Sequence, residues 1–559
     1  METSYSSLNI EILDTPFTVD EETSYEKTAC ITFLDGNRNI VKVNNYGVLD
    51  CDTIYQNINE GKPVVLNNCY IRNFSLNDYR NKYKLPNTDQ VVFSEFSAIN
   101  SFFEANDSTD FSYARFDGLS ANFINSYFGN GNLNFYKAEF KDIDVDFTNV
   151  DFGNGNINFQ FSEFGKGSIS FENTIFGNGN LSFVNASFGI GNVSFKNMHF
   201  GNGNADFHFS KFKNGDINFD KAEFLSGRVD FRKVEFGDGK FDFRRTVFGN
   251  GNVSFDESEF GKGRKSFKRS KFGDGNVSFE MTDFGSGDVS FENSHFGNGT
   301  LSFFKAKIHN LSLKSCHMNN YVDLRVDSCD EVNMSDSVIR DIIDLKPGFA
   351  NVDIKVLNIL GMRDLGKIFI DWKENNVRKL INNQKDTTNR QKADQFRLIK
   401  EDFREAGQYT DEDKAYVEFK RHELKADISD ALAANKWNAL WVYPSAAFKW
   451  LVFEKTGVYA TNPVRVLMSM FIVFTVYSLL YALLPYVTDA AISGCYEETA
   501  DFIHRLGNAF YYSAITFLTV GYGDCLPTGM FKYLAPAEAW MGMFLMSYFT
   551  VAFVRKILR

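Results

Sequence analysis

The 559 residues carry a formal net charge of -12, and a chain of this length holds more than one domain. An acidic balance lacks the basic footprint of a nucleic-acid binder, and seven scattered cysteines with no C-x-x-C pair argue against a zinc site or a dense disulfide framework. Sixty phenylalanines beside nine prolines and five tryptophans exceed what an ordinary core requires, so a repeat must absorb them.

The chain opens on a polar, acidic stretch with no charged n-region or apolar core, so no secretory signal is read there. Residues 1–61 are expected to form an amino-terminal segment and cap, and to lie in the cytoplasm.

Beyond it, Phe recurs every 12 residues from Phe128 to Phe296, and a second series runs at the same interval from Phe135 to Phe303. The unit is FGNGNxxFxxxx, with an aliphatic residue two positions before the second Phe, as in Leu133, Ile157 and Val193. A short fixed period with Gly-Asn corners and alternating apolar positions predicts a right-handed parallel β-solenoid. Twelve extended residues give a perimeter of about 40 Å, too small for opposing phenyl rings, so a coil is expected to hold two repeats, about 24 residues. The five-residue sides, such as Phe219 to Phe224, resemble pentapeptide-repeat proteins, and the GNGN insertion departs from them. The solenoid is placed at 62–346, with regular repeats over 116–307. Gly-Asn runs also occur in calcium-binding β-rolls, but those need a nine-residue period with regular Asp. A spacer or docking surface, open to an unknown cytoplasmic ligand or protein, is the simpler reading.

Residues 347–440 are read as a helical linker: Phe396, Ile399 and Phe403 follow helical spacing up to Gly407, and Thr410 with Asp413 makes a capping signature for the next helix. The run from Gln395 to Arg421 resembles linkers between pentapeptide repeats and ion-channel domains in bacterial proteins. Trp441 and Trp450 with Lys449 then mark 441–460 as an amphipathic slide helix on a membrane surface.

The segment 461–559 contains two stretches long and apolar enough to cross a bilayer, 464–487 and 533–558. Lys449, Lys455 and Arg465 precede the first, and Arg555, Lys556 and Arg559 end the second, whereas Asp489, Glu497, Glu498 and Asp501 lie between them. The positive-inside rule therefore places both termini in the cytoplasm of a multi-pass inner (plasma) membrane protein. Between the crossings, 508–518 is too short to span again and is read as a re-entrant pore helix, its negative end favouring a cation. The sequence that follows, Thr519-Val520-Gly521-Tyr522-Gly523-Asp524, alternates glycine with side-chain residues, as a backbone that turns successive carbonyls to one side requires.

Here the chain resembles the two-transmembrane potassium channel family, whose TVGYGD filter is present without substitution. The resemblance implies a potassium-selective homotetramer in a lipid bilayer, with K+ bound at Thr519, Val520, Gly521 and Tyr522, no organic cofactor and no catalysis. A family glutamate four residues before the filter threonine is replaced by Ile515, so support is expected from Tyr511 and Tyr512. Gly542 is a candidate hinge or a packing glycine, and Phe549 and Phe553 are gate candidates. Cys495 and Cys525 stand where inward-rectifier relatives carry a bracing disulfide, although two free thiols are also compatible. Because the sequence stops after the inner helix, control is expected to enter from the amino-terminal side. Two other readings stay open: a membrane-anchored solenoid scaffold whose pore is secondary, and a nonselective cation channel.

Overall fold

A computed structural model describes residues 5–19, 23–348, 352–494 and 502–558. Two compact units divide the chain, residues 1–384 and 385–559.

The first unit is a parallel β-solenoid. Leu133 pairs with Ile157, and Ile157 with Leu181, so each strand lies on its copy 24 residues away and a coil does hold two repeats. Parallel ladders run along four faces, the longest of 13 strands. The phenylalanines point inward and stack with the same spacing: Phe135 on Phe159 at 4.8 Å and 3° between ring planes, and Phe147 on Phe171 at 4.9 Å and 7°. Rings from opposite sides meet edge-on, Phe147 and Phe159 lying 6.0 Å apart at 79°. Offset stacks along the axis and T-shaped contacts across it satisfy the ring quadrupole in both directions. The core thus explains the phenylalanine excess.

The two kinds of corner have different chemistry. Each five-residue side turns through a residue with positive φ, for example Phe161 (57°) or Asn173 (57°), closed by a bond from Ser162 N to Phe159 O of 3.2 Å. This is the type II turn, whose third residue must be left-handed. At the GNGN corners most glycines have ordinary φ and are required for another reason. A β-carbon on Gly179, Gly203 or Gly251 would collide with the backbone carbonyl of the coil below. Buried hydroxyls close the remaining polar gaps, Ser210 and Thr246 donating to the carbonyls of Phe183 and Phe219 at 2.8 and 2.9 Å.

One core position breaks the aliphatic ladder. Lys265 stands between Phe241 and Val289, is buried, and donates from Nζ to the carbonyls of Gly261 (2.7 Å) and Phe284. Loss of solvation pushes its pKa down to about 8, opposed by Asp283, Asp288 and Asp238. The unfolded chain holds this proton up to the ordinary lysine value, so the penalty is full below pH 8 and disappears as pH rises towards 10.5. That shift is worth about 3 kcal/mol, and losing the two carbonyl contacts offsets about 1. Lys265→Val is therefore expected to stabilise the solenoid by about 2 kcal/mol at pH 7 and to flatten the gain of wild type between pH 8 and 10.5. Paired urea titrations at both pH values measure this.

At the amino-terminal end, strands Ser7–Leu13, Thr28–Leu34 and Ile40–Leu49 form an antiparallel sheet. Its last strand pairs in parallel with Cys69–Arg72, the start of the ladder, so the open edge is covered. Helices α1 (Cys51–Asn59) and α2 (Leu76–Tyr83) belong to the same end.

The solenoid does not end at 346. Ile354–Asn358 pairs with Ser328–Asn333, and Lys367–Phe369 with Ile342–Asp344, which adds a coil that the helical-linker reading of 347–440 missed. The reason is drift in coil length: Val289 pairs with Leu311, Ile308 with Cys329, and Cys329 with Ile354, while phenylalanine gives way to leucine, isoleucine and methionine. Helix α3 (Val377–Asn382) closes the unit, burying Val377, Leu380 and Ile381.

In the second unit, α4 (Asn389–Glu405) starts on a capping box of Thr388 with Gln391 and ends at Gly407, whose φ is +71°. It packs on α5 (Tyr409–Ala434), Phe396 lying against His422 at 5.6 Å. Thr410 and Asp413 do not cap α5: the helix begins at Tyr409, which places both inside it. Next come α6 (Ala439–Lys449), continued as a wider π turn over Trp450–Lys455, and α7 (Pro463–Leu483), α8 (Phe502–Phe517) and α9 (Phe531–Ile557). The outer and inner helices fall within two residues of the expected starts, whereas α8 begins six residues before 508, its first turns hidden in the sequence by His504 and Arg505.

Candidate functional site: the filter loop and its supports

Helices α7 and α9 are long and apolar enough to cross a membrane. Val464, Leu467, Met468, Phe471 and Ile472 of α7 are all exposed, a surface that water does not tolerate and hydrocarbon does. Asn462 caps α7 by accepting from Arg465 N, with Pro463 at the first helical position.

The short helix α8 is amphipathic and delivers its carboxy-terminal end to the filter loop. Ile515 O accepts from Val520 N (2.8 Å) and Gly521 N (3.3 Å), which ends the helix and starts the loop. Thr519, Gly521 and Gly523 have φ of +55°, +60° and +80°. Positive φ at alternate residues turns successive peptide planes the same way, and two of the three positions are glycine because only glycine adopts it without strain. The side chains of Val520 and Tyr522 are exposed on the single subunit, Tyr522 to 72%.

The supports differ from one another. Tyr511 Oη donates to Asp524 Oδ2 at 2.7 Å, from one side of α8. Within the subunit Tyr512 packs elsewhere: the next residue along a helix points about 100° away, and its ring is buried edge-on against Tyr481 of α7 at 5.0 Å. Cys525, just past Asp524, is disulfide-bonded, and five other cysteines (30, 51, 69, 316 and 329) are free. Cys495, the partner expected for it, lies outside the described residues, as do Glu497, Glu498, Asp501 and Arg559.

Gly542 lies where α9 crosses the end of α8. A β-carbon there would collide with the Phe517 carbonyl, so close packing requires this glycine, and α9 runs unbroken through it. One turn earlier Glu538 is fully buried and accepts from Ser513 Oγ. Phe549 and Phe553 stack at 5.6 Å, Phe549 half-buried against a cluster of Ala460, Val466, Tyr548 and Ala552, and Phe553 exposed.

The end of α9 and the segment before α7 have their own joints. Tyr548 of α9 donates to Phe453 O (3.0 Å) and accepts from Ala460 N (2.8 Å), so the segment before α7 is bonded to the inner helix. Val458, Tyr459 and Ala460 are all left-handed, at φ 50°, 56° and 61°. Three consecutive side-chain residues in that region store about 1–2 kcal/mol each. Asp413 of α5 binds the end of α9 twice, Oδ1 to Arg555 at 3.0 Å and Oδ2 to Lys556 at 2.9 Å, while the Arg555 guanidinium lies 4.3 Å above the Tyr416 ring. Arg421 joins Glu418 to Glu454 at 2.6 and 2.9 Å. The acidic capping residue expected of the linker is instead the counter-ion of the inner helix.

In the solenoid, Asp206, His208 and Asp230 are close enough to share an ion. Asp230 is already bound by Arg228 and Arg232, which a metal would have to displace.

Compared with known proteins, residues 465–559 match the family model described as Ion channel. No curated protein and no solved structure matches the chain. The carboxy-terminal segment is an ion-channel domain, joined in one chain to an amino-terminal β-solenoid.

Proposed function

We propose that the protein is a subunit of a homotetrameric potassium channel, with the TVGYGD loop of four copies forming one selectivity filter. The observation that carries this reading is the filter loop itself: an unsubstituted TVGYGD at the end of a short helix, with left-handed residues at alternate positions. Carbonyls aligned on one side replace the hydration shell of K+, and the negative end of α8 adds to the attraction. More than one copy is needed because two crossings and one re-entrant loop enclose no pore, and four is the number that the resemblance to two-transmembrane potassium channels implies. Exposed Val520 and Tyr522 are the surfaces that neighbouring subunits would cover.

Both termini are cytoplasmic in this reading, and control reaches the pore from the α4–α5 hairpin. The hairpin has two routes: through the segment ending in Val458–Ala460, and directly through Asp413 to the end of α9. In this reading the form with the end of α9 latched to Asp413 is the closed one.

Gly521→Ala tests the filter. Alanine at φ +60° costs roughly 1–2 kcal/mol in each subunit, so K+ flux should fall about a hundredfold or more while the tetramer still runs as four subunits in detergent. Unchanged flux would exclude this loop as the conduction path.

A further inference from the structure

An ionisable side chain is rarely placed inside a membrane helix without a function. Glu538 is such a residue: it is buried, on α9, and its carboxylate accepts from Ser513 of α8. Ser513 Oγ also lies 3.3 Å from the Phe474 carbonyl of α7, and the Tyr481 hydroxyl of α7 faces the same carboxylate. All three helices therefore meet at one polar point.

That point is in register with the glycine contact. Glu538 and Gly542 are four residues apart on α9, and their partners Ser513 and Phe517 are four residues apart on α8, so both pairs lie on facing stripes. Gly542 sets how close the helices come. A collision is not directional, whereas a hydrogen bond fixes rotation and sliding along the axis. Rotation of α8 matters because Tyr511, two residues before Ser513, holds Asp524 at the outer end of the filter loop. Beside that point, Tyr481 is packed edge-on by Tyr512 and by Phe531 at 4.9 Å, which removes the slack through which a turned α8 could relax.

We infer that Glu538 is a positioning residue for ion selectivity: through Ser513 it fixes the rotation of the pore helix and thereby the width of the filter. The inference rests on the potassium reading above. It assigns to an inner-helix acid the task for which a carboxylate within the pore helix is missing at Ile515.

The test uses full-length tetramer in liposomes, with K+ and Na+ permeabilities measured for wild type, Glu538→Gln, Glu538→Ala and Ser513→Ala. Glutamine keeps an acceptor for Ser513 and should hold the permeability ratio within about threefold of wild type, whereas alanine should lower it about tenfold or more. Ser513→Ala should lower it in the same direction, and the double variant should be no worse than Glu538→Ala, since both remove one bond. A merely structural acid would lower the melting temperature of the tetramer and the total flux with the ratio unchanged, and that result overturns the inference. If Glu538→Ala does not assemble, Ser513→Ala alone decides, an unchanged ratio counting against. A wild type that passes both ions alike overturns the potassium reading itself, and is distinguishable from a selective wild type whose variants stay selective.

Discussion

Channels carrying Asp413→Arg are expected to open at least about ten times more often than wild type, because the change converts the counter-ion of the inner helix into a third positive charge. Asp413 is nearly buried and holds both Arg555 and Lys556. Removing one member of a buried pair costs about 3–5 kcal/mol, but Lys556 is 42% exposed and its share is below about 1 kcal/mol. Arg555 is the more buried partner and is also held over Tyr416 at 4.3 Å, so most of the latch strength is its own. Tenfold is about 1.4 kcal/mol, well inside what loss of the Arg555 pair supplies. The strained run Val458–Ala460 is positioned to relax when the end of α9 is freed. Single-channel recording checks the effect, and Arg555→Asp with Lys556→Asp in the Asp413→Arg background should restore wild-type opening. An open probability that stays the same or falls in Asp413→Arg would show that these pairs do not hold the closed state.

The second large effect lies in the solenoid. Phe207 stacks on Phe183 at 5.1 Å and on Phe231 at 4.6 Å, and meets Phe195 edge-on at 6.0 Å. Phe207→Ala should cost about 3–5 kcal/mol, since the rigid ladder above and below cannot collapse into the space. In a repeat array the loss is local: coils near the substitution should exchange their amide hydrogens faster while distant coils stay protected. Phe161 is the control. It occupies a left-handed corner and is 43% exposed, so Phe161→Gly removes strain and only an edge contact with Tyr136, and should be neutral or stabilising by about 1 kcal/mol. Hydrogen exchange on the two variants separates Phe207, a core member of the 12-residue series, from Phe161, which stands outside both series at a corner.

How legible these features were in the sequence depended on the range of the interactions involved. The 24-residue coil could be read because Phe135, Phe159 and Phe183 repeat the same contact, so spacing alone encoded the neighbour. The filter was equally local, since six consecutive residues carry it. The last coil was not legible because Leu345, Ile343 and Ile359 fill the core without a signature residue and the coil length drifts. The roles of Glu538 and Asp413 were hidden for a different reason. Their partners Ser513 and Arg555 lie 25 and 142 residues away, and nothing next to either acid in the sequence points to them. Asp413 three residues after Thr410 satisfies the capping pattern by spacing, yet the helix starts earlier and releases the carboxylate for the inner helix. Tyr511 and Tyr512 are neighbours in sequence, but consecutive helical residues point about 100° apart, so within one subunit it is Tyr511 that reaches Asp524.

Ion flux into liposomes holding purified full-length protein tests the central claim most directly. A filter of four TVGYGD loops predicts barium-sensitive K+ flux exceeding Na+ flux by roughly a hundredfold, whereas equal K+ and Na+ flux, or none from assembled tetramer, would contradict it.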